Sequence, residues 1–306
     1  MKNTIAIMGA TGHIGMILTE ELLKKGHKVH AIGRDKEKLQ KLKEKGAQIF
    51  ISSFEDANAL TEAFKGCNAV FSFIPPAMDV EDFTAYQDKV GEAIKKAIMN
   101  NKITHVINLS SIGAELDTGT GPIKGLHRHE KRLNEIPQIN VLHFRAGFFM
   151  ENLMRAIPLI KGMGIIGTPI KSDLQIPMIA TRDIGKKIAE QFDTLSFKGQ
   201  TIFDFIGPKA ITMTEASTII AKSIGKPDLK YIQFAYEDAE RGMIGMGMQP
   251  KSAKMMIEMH KAFNEGKIHT TQQIKSDNHG STTIDEFGKI FAQKFRMETP
   301  EHAARH

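Results

Sequence analysis

Hydrophobic and polar positions alternate in two distinct ways along the first half of this chain. Short apolar runs at 4–8, 28–32, 48–52, 69–74, 104–109 and 140–145 predict six β-strands. The segments between them, at 14–25, 36–45, 57–64, 83–100 and 127–135, have helical spacing and predict five helices. Strands that alternate with helices through short connections are typical of a parallel sheet covered on both faces. The pattern therefore predicts an α/β protein with a doubly wound, mostly parallel Rossmann sheet.

The alternation breaks at Gly147. Short strands follow, together with helices predicted at 181–192, 214–224, 235–243, 252–264 and 283–295. We predict a dinucleotide-binding domain over 1–152 and a smaller substrate-facing lobe over 153–306, of which about 176–206 is interleaved with the sheet. The polar tail at 298–306 is expected to fray. The methionine-rich stretch at 241–259 fits either a mobile lid over an apolar substrate or ordinary core filling.

Composition narrows the class of protein. The chain has 306 residues, a net charge of +6 and one cysteine, Cys67, which excludes a disulfide framework. The lysines of 36–45 alternate with glutamates at helical spacing, so we interpret the positive charge as solvated helix surface and expect no nucleic-acid binding. No apolar run approaches the length of a membrane span, and no leader precedes the first strand. We therefore expect a cytoplasmic protein without membrane contact.

Three glycines follow the first apolar run with the spacing Gly9-x-x-Gly12-x-x-Gly15. A strand, a glycine turn and a helix N-terminus together form the usual site for a dinucleotide pyrophosphate. In this arrangement Gly9 makes the tight turn, and Gly12 lets the backbone approach the phosphates. Gly15 lets the helix pack closely on the strand. The turn also contributes Thr11, His13 and Ile14 to the predicted cofactor site. The alternative is an ordinary glycine-rich connection.

The choice between NADP and NAD depends on the residues that follow the second strand. An acidic residue there binds the ribose hydroxyls of NAD, whereas an arginine neutralises the 2′-phosphate of NADP. This chain presents Arg34 first and Asp35 next, with Lys36 and Lys38 close behind. We predict NADP(H) in preference to NAD(H), with Asp35 binding the hydroxyl as the alternative.

A wider set of motifs resembles one known family. The chain is similar to the NmrA-like branch of the atypical short-chain dehydrogenases/reductases, which includes quinone reductases, azoreductase-type proteins and NADPH-sensing regulators. The motifs that carry the resemblance keep their order and spacing through most of the chain: GATGHIG at 9–15, GRD at 33–35, SFEDANALTEAFKGCNAVFSFIPP at 53–76, NLSSIGA at 108–114, FRAGFFMENL at 144–153 and IPMIATRDIG at 176–185.

The resemblance implies positions for several side chains around the cofactor. Ser53 and Phe54 would lie near the adenine. Another three residues would flank the ribose and pyrophosphate: Phe73, Ile74 and Pro75. Phe148 and Phe149 would lie near the nicotinamide. Ser110 ends the fifth strand, where the superfamily often has a substrate-orienting serine, and we include it in the predicted site.

The chain departs from the superfamily in its catalytic pair. Dehydrogenases of this type use Tyr-x-x-x-Lys, with the tyrosine as general acid. None of the three tyrosines here, Tyr86, Tyr231 and Tyr236, has a lysine four residues later. The helix after the fifth strand instead offers Lys124, His127 and His129. One of the histidines could donate a proton, and Lys124 could polarise an acceptor oxygen. The alternatives are that all three are surface residues, or that one histidine only forms a hydrogen bond with the nicotinamide ribose.

These observations predict a reductase that passes hydride from NAD(P)H to a quinone-like or azo acceptor. Such an acceptor is apolar or aromatic and already electrophilic, so it needs little acid–base help. The alternative is a non-catalytic sensor of the NADPH/NADP ratio that acts through a protein partner, and a nucleotide-sugar epimerase is a third reading. Whether the chain forms a homodimer stays open. The His127, His129 and Glu130 group lacks metal-ligand spacing, so we predict no metal site.

Overall fold

The computed structural model describes residues 2–297, so the predicted tail at 298–306 lies outside the described residues. The strands are β1 (Thr4–Met8), β2 (Lys28–Gly33), β3 (Gln48–Ile51), β4 (Ala69–Phe73), β5 (His105–Ser111), β6 (Asn140–Ala146), β7 (Phe148–Phe149), β8 (Ile166–Thr168), β9 (Met178–Ile179), β10 (Gln200–Phe205) and β11 (Tyr231–Gln233). The helices are α1 (His13–Lys24), α2 (Lys36–Glu44), α3 (Ala57–Ala63), α4 (Phe83–Asn100), α5 (Ile123–Asn134), α6 (Ile157–Met163), α7 (Thr181–Thr194), α8 (Met213–Ser223), α9 (Tyr236–Gly245), α10 (Pro250–Asn264) and α11 (Ile284–Met297).

Seven parallel strands form the central sheet, in the order β10-β6-β5-β4-β1-β2-β3. The strand order reverses between β1 and β4, and a crevice opens outside the carboxyl ends of the strands at such a point. The predicted Rossmann sheet is confirmed. Two-stranded pairs, β8 with β11 and β7 with β9, lie beyond it.

Two apolar cores lie on opposite faces of the sheet. Leu18 of α1 and Leu39 of α2 pack with Phe192 of α7 on one face. On the other face Leu60 of α3 and Ile94 of α4 pack with apolar residues of β1, β2, β4, β5 and β6. Burial on both faces explains why the strands are continuous apolar runs instead of alternating ones.

A third apolar core joins the segments after residue 150. It contains the buried residues Met150, Ile157, Ile176, Ile220, Phe287 and Phe291. This second half returns to the sheet, since β10 pairs with β6 and α7 packs against α1. The division of the chain at residue 152 stays a prediction. No helix within residues 2–297 has the length and apolar character needed to cross a membrane.

The start of α5 differs from the prediction. The sequence predicted a loop as far as Gly125 and a helix from His127, whereas α5 begins at Ile123. Gly125 lies within α5, at its contact with α4. A side chain at this position would collide with the Gln87 side chain of α4, which is why the residue is glycine. Gln87 also donates from Nε2 to the carbonyl of Pro122 at 2.9 Å. The glycine is therefore a contact between two helices and not a loop residue.

Candidate dinucleotide site and acceptor side

Two glycines of the turn between β1 and α1, Gly9 and Gly15, leave no room for a side chain. Gly9 has φ of +64°, and a Cβ added there would lie 2.6 Å from Cε1 of Phe73. The amide of Gly12 donates to the Gly9 carbonyl at 2.9 Å, which closes the turn. A Cβ at Gly15 would collide with that same carbonyl oxygen. The close approach at Gly15 is therefore to the turn itself, and not to the strand as predicted.

The N-terminus of α1 differs from those of the next three helices. Aspartate side chains cap α2, α3 and α4, and these residues are Asp35, Asp56 and Asp82. The N-cap of α1 is Gly12, no side chain caps it, and its first turn holds no acidic residue. Its first backbone N–H groups and its dipole are thus available to an anion. This cradle fits a dinucleotide pyrophosphate.

Residues at the end of β2 lie beside this cradle. The Thr11 side chain is 3.3 Å from the position of a Cβ on Gly33, which holds the turn against β2. Arg34 is exposed and makes no ion pair with any carboxylate within residues 2–297. Asp35 instead accepts the amide of Lys38 at 3.0 Å and pairs with its Nζ at 3.2 Å. These contacts with Lys38 lower the pKa of the Asp35 carboxyl.

Aromatic residues form the surface next to Gly9. Phe73 ends β4 and is half-buried, and Phe54 meets it edge-on with ring centroids 5.9 Å apart. Ile74 and Pro75 follow Phe73 and are buried. Ser53 is exposed, as is His13, whereas Ile14 is buried in the core. The structure thus brings Phe73 to the glycine turn, while the roles of the other residues around the cofactor stay predictions.

A buried ion pair lies at the carboxyl ends of β5 and β6. Arg145 of β6 donates from Nη2 to Oε2 of Glu130 at 2.7 Å and from Nε to Oε1 at 3.0 Å. Ser110 of β5 donates to Oε1 of Glu130 at 2.6 Å, and Glu115 contacts Nη1 of Arg145 at 3.2 Å. The Ser110 hydroxyl is therefore engaged by Glu130. Its predicted contact with the cofactor remains a prediction.

One face of α5 lies against the ends of β5 and β6, and it contains Ile123, His127 and Glu130. Ile123 joins an apolar cluster, His127 contacts the loop after β5, and Glu130 contacts β5 and β6. Nδ1 of His127 lies 2.8 Å from the carbonyl oxygen of Ala114. Residues i, i+4 and i+7 share one helix face, so these contacts follow from helical geometry. The sequence pattern named Glu130 only in a rejected metal group and did not indicate its pairing with Arg145, although Arg145 is a charge inside an apolar strand.

The other two catalytic candidates, Lys124 and His129, make different contacts from those of His127. Nζ of Lys124 pairs with Glu258 of α10 at 3.1 Å. His129 is fully buried beside Arg132, facing Gly91 of α4, and burial lowers the pKa of its imidazole to about 3. An imidazole with that pKa is neutral at physiological pH, so the structure favours a packing role for His129 over proton donation. The three candidates do not form one cluster.

No tyrosine occupies the general-acid position after β5. The Tyr231 hydroxyl donates to the Ile170 carbonyl at 2.6 Å, and burial raises its pKa to about 12. The Tyr236 hydroxyl accepts from Nδ2 of Asn264 at 2.8 Å. Tyr86 lies on α4, where burial raises its pKa while the Arg34 charge opposes that rise. The Tyr231 and Tyr236 hydroxyls are therefore engaged by Ile170 and Asn264, and Tyr86 lies near the Arg34 charge.

An apolar group that we call the α10 cluster covers the region between these elements. Its buried members are Ile112, Ala114, Ile123, Ala262, Phe263 and Ile268, with Leu126, Phe148, Leu174 and Met259 packed against them. Phe148 meets Phe263 edge-on with ring centroids 6.2 Å apart. The amide of Gln249, just before α10, donates to the Met78 carbonyl after β4 at 3.1 Å. The α10 helix thus spans the carboxyl ends of β4 and β5.

Two further observations concern the chemistry of the site. Within residues 2–297, no group of three or more histidine, cysteine or acidic side chains is arranged to hold a metal ion. Cys67 is buried away from the sheet edge described above, and burial raises the pKa of its thiol to about 12. A thiol with that pKa is not ionised at neutral pH and does not act as a nucleophile.

The fold and the glycine turn define a protein of the dinucleotide-binding Rossmann class. The model of the NmrA-like family matches residues 1–288, so the chain belongs to the NmrA-like family. It is 24% identical over 295 residues to the NAD(P)H azoreductase of Xenophilus azovorans, which covers 95% of this chain and 99% of the relative. The resemblance predicted from the motifs is confirmed.

Solved structures show the same fold. The NADPH-dependent quinone oxidoreductase of Escherichia coli, in complex with NADPH, superimposes with a TM-score of 0.77 and 22% identity over 94% of this chain and 99% of that chain. NmrA, a negative transcriptional regulator in complex with NADP, superimposes with a TM-score of 0.72 and 15% identity over 96% of this chain and 97% of that chain. One fold therefore serves both an oxidoreductase and a regulator.

Proposed function

We propose that this protein is an NADPH-dependent reductase that passes hydride to a quinone-like or azo acceptor. The observation that carries the proposal is the uncapped N-terminus of α1 on a glycine turn, at the reversal point of the sheet. The neighbouring helix ends are closed by aspartates, so only this one of the four offers its N–H groups to an added anion.

The contacts of Asp35 and Arg34 support NADPH over NADH. Asp35 is engaged in capping α2, and its carboxylate is paired with Lys38. Arg34 is exposed and has no ion pair within residues 2–297, so its guanidinium can make charge-assisted hydrogen bonds to a 2′-phosphate. A ribose hydroxyl would therefore share the Asp35 carboxylate with the α2 cap and with Lys38.

The acceptor side supports a substrate that needs positioning more than acid catalysis. The bound cofactor would supply the hydride. The chain would supply an apolar surface, with Phe148 and Phe263 in the α10 cluster, and would exclude water from it. Neither α5 nor the loop after β5 contains a tyrosine, which disfavours alcohol dehydrogenation and epimerase chemistry. The names of the azoreductase and quinone oxidoreductase relatives support an electrophilic aromatic acceptor.

A steady-state screen tests the proposal. The purified chain is incubated with NADPH and menadione, an azo dye or an aldehyde, and NADPH oxidation is followed at its absorbance band. We expect turnover with the quinone or the dye and none with the aldehyde. The matched control is Gly12→Val, because Gly12 has an ordinary φ of −84° and its added Cβ lies 3.3 Å from the Gly9 carbonyl oxygen, so a branched side chain there crowds the cradle.

The outcomes separate the reductase from its alternative. Turnover by the parent and loss of both turnover and NADPH binding in Gly12→Val would support the proposal. Tight NADPH binding with no oxidation by any acceptor would contradict it and favour a redox sensor that acts through a protein partner. The same fold in the NADP-bound regulator makes this second outcome worth measuring.

A further inference from the structure

We propose that Nε2 of His127 accepts a hydrogen bond from a hydroxyl or N–H group of the bound ligand, and that His127 is a positioning residue of the reductase site. This inference rests on the proposed function. The sequence alone does not decide whether His127 donates a hydrogen bond, accepts one or lies on the surface.

The tautomer of His127 follows from its contact with the main chain. Nδ1 lies 2.8 Å from the Ala114 carbonyl oxygen, and a carbonyl oxygen can only accept. Nδ1 therefore carries the hydrogen, and in the neutral ring Nε2 carries a lone pair. Nε2 is shielded from solvent and has no hydrogen-bond partner within residues 2–297. A buried nitrogen without a partner loses its hydrogen bonds to water and gains none in return, so a donor at this position would be stabilising.

The position of the ring points to the site. His127 shares a helix face with Ile123 and Glu130, and this face meets the ends of β5 and β6. Both Ile123 and Ala114 belong to the α10 cluster, which also contains Phe148. The ring thus lies between the loop after β5 and the apolar surface assigned to the acceptor.

The charged neighbours on α5 do not supply the missing donor. Glu130 is occupied by Arg145 and Ser110, and it carries no hydrogen when ionised. Lys124, three residues before His127, pairs with Glu258. Lys131, four residues after His127, is exposed. The His127-x-x-x-Lys131 spacing therefore does not reproduce a Tyr-x-x-x-Lys pair, and the donor is most simply provided by a ligand.

His129 shows why an unpaired ring nitrogen is insufficient evidence. Both of its ring nitrogens also lack partners, yet the ring is enclosed between α4 and α5 beside Gly91. It has no contact with the loop after β5 that would fix a tautomer or face it toward the strand ends. The inference for His127 rests on the Ala114 contact and the α10 cluster together.

Two sources can provide the donor with the same chemistry. One is a hydroxyl of the ribose that carries the nicotinamide. The other is the O–H or N–H formed on the acceptor when it is reduced. In both cases the chain contributes the lone pair of a neutral imidazole that the Ala114 carbonyl holds in place. A ribose donor would affect the affinity for NADPH, whereas a donor on the acceptor would affect kcat/KM for the acceptor.

Two substitutions separate the two ring nitrogens. His127→Asn places an amide N–H where Nδ1 lies and can keep the Ala114 bond, but has no group at the position of Nε2. His127→Gln extends an amide oxygen to about the position of Nε2. We expect the asparagine variant to lose about tenfold, the effect of one hydrogen bond of about 1.4 kcal/mol, and the glutamine variant to recover most of that loss.

Calorimetry with NADPH and with 2′,5′-ADP, together with kcat and KM for menadione, forms the readout. Loss of NADPH affinity with unchanged 2′,5′-ADP affinity would assign the donor to the nicotinamide ribose. Unchanged NADPH affinity with lower kcat/KM for menadione would assign it to the acceptor. Thermal unfolding of each variant checks the fold.

Three results would overturn the inference. An asparagine variant with parental constants would show that Nε2 has no ligand. Equal losses in the asparagine and glutamine variants would show a structural role. A parent that does not bind 2′,5′-ADP would refute the proposed NADP site, and the inference would fall with it.

Discussion

The two ends of the candidate site are built in opposite ways. At the β1–α1 turn the backbone forms the cradle: Gly9, Gly12 and Gly15 make the turn, and the N-terminal N–H groups of α1 have no side-chain cap within residues 2–297. At the ends of β5 and β6, side chains dominate, and Glu130 and Arg145 form a buried ion pair. A backbone cradle can bind any dinucleotide, whereas side chains select what lies beside it.

The difference also appears in how each end responds to change. A glycine turn is destroyed by adding atoms, because a Cβ meets backbone that cannot move. A buried ion pair is destroyed by removing a charge, because the remaining partner keeps its desolvation cost. The following predictions test whether the two ends differ in this way, beginning with the largest expected effect.

Removal of the Glu130 charge should give the largest loss of stability. Glu130→Gln leaves the buried guanidinium of Arg145 with Glu115 alone, and breaking a buried pair costs about 3–5 kcal/mol. Urea unfolding measures this loss. The control Glu135→Gln, at the end of the same helix, removes an exposed partner of Lys95 and should cost far less stability, because solvent screens that pair. Similar losses for the two variants would show that burial of the pair has no special effect.

Addition of one methyl group at Gly15 should disrupt the glycine turn. Gly15→Ala forces the first turn of α1 away from the Gly9 carbonyl, and overpacking of this kind costs about 3 kcal/mol. Gly162→Ala is the matched control, because Gly162 lies in α6 with no atom within 4 Å of its added Cβ. Thermal unfolding compares the two. Parental stability of Gly15→Ala would mean that the turn can relax.

Loss of the Arg34 charge should affect one cofactor only. A charge-assisted hydrogen bond contributes about 1.5–3 kcal/mol, so Arg34→Ala should weaken NADPH roughly ten- to hundredfold and leave NADH nearly unchanged. Lys41→Ala, an exposed lysine farther along α2, serves as the control for general charge. Titration of both cofactors by calorimetry decides the matter. Equal weakening of NADPH and NADH would exclude recognition of the 2′-phosphate by Arg34.

The buried ring of His129, between α4 and α5, should make stability depend on pH. His129 has a pKa of about 3 in the folded chain, while an unfolded histidine takes up a proton below about pH 6.5. Protonation then favours the unfolded state, so the free energy of unfolding falls as pH decreases from 7.5 to 5.5. His129→Leu should reduce this fall by about 1 kcal/mol. An unchanged pH dependence in urea titrations would contradict the burial of a neutral ring.

Sequence patterns predicted most of the first half because the relevant information is local. Each predicted strand and helix there lies within a few residues of its observed bounds. The helix α5 was misplaced at its start because Gly125 and Pro122 are usual loop residues. Pro122 is the N-cap of α5 and Gly125 lies in its first turn, and both contact Gln87 of α4. The local sequence does not indicate this contact with a distant helix.

The sequence by itself determined the glycine turn, the parallel sheet and the NmrA-like resemblance, since backbone conformation and helical or strand spacing depend on neighbouring residues. Only the tertiary structure decided which polar side chains meet. It paired Glu130 with Arg145, turned Lys124 toward Glu258 and enclosed His129, leaving His127 at the strand ends. It also brought Phe263 against Phe148 from a distant part of the chain. Such contacts depend on how remote segments pack, because burial removes water from whichever side chains the whole fold encloses.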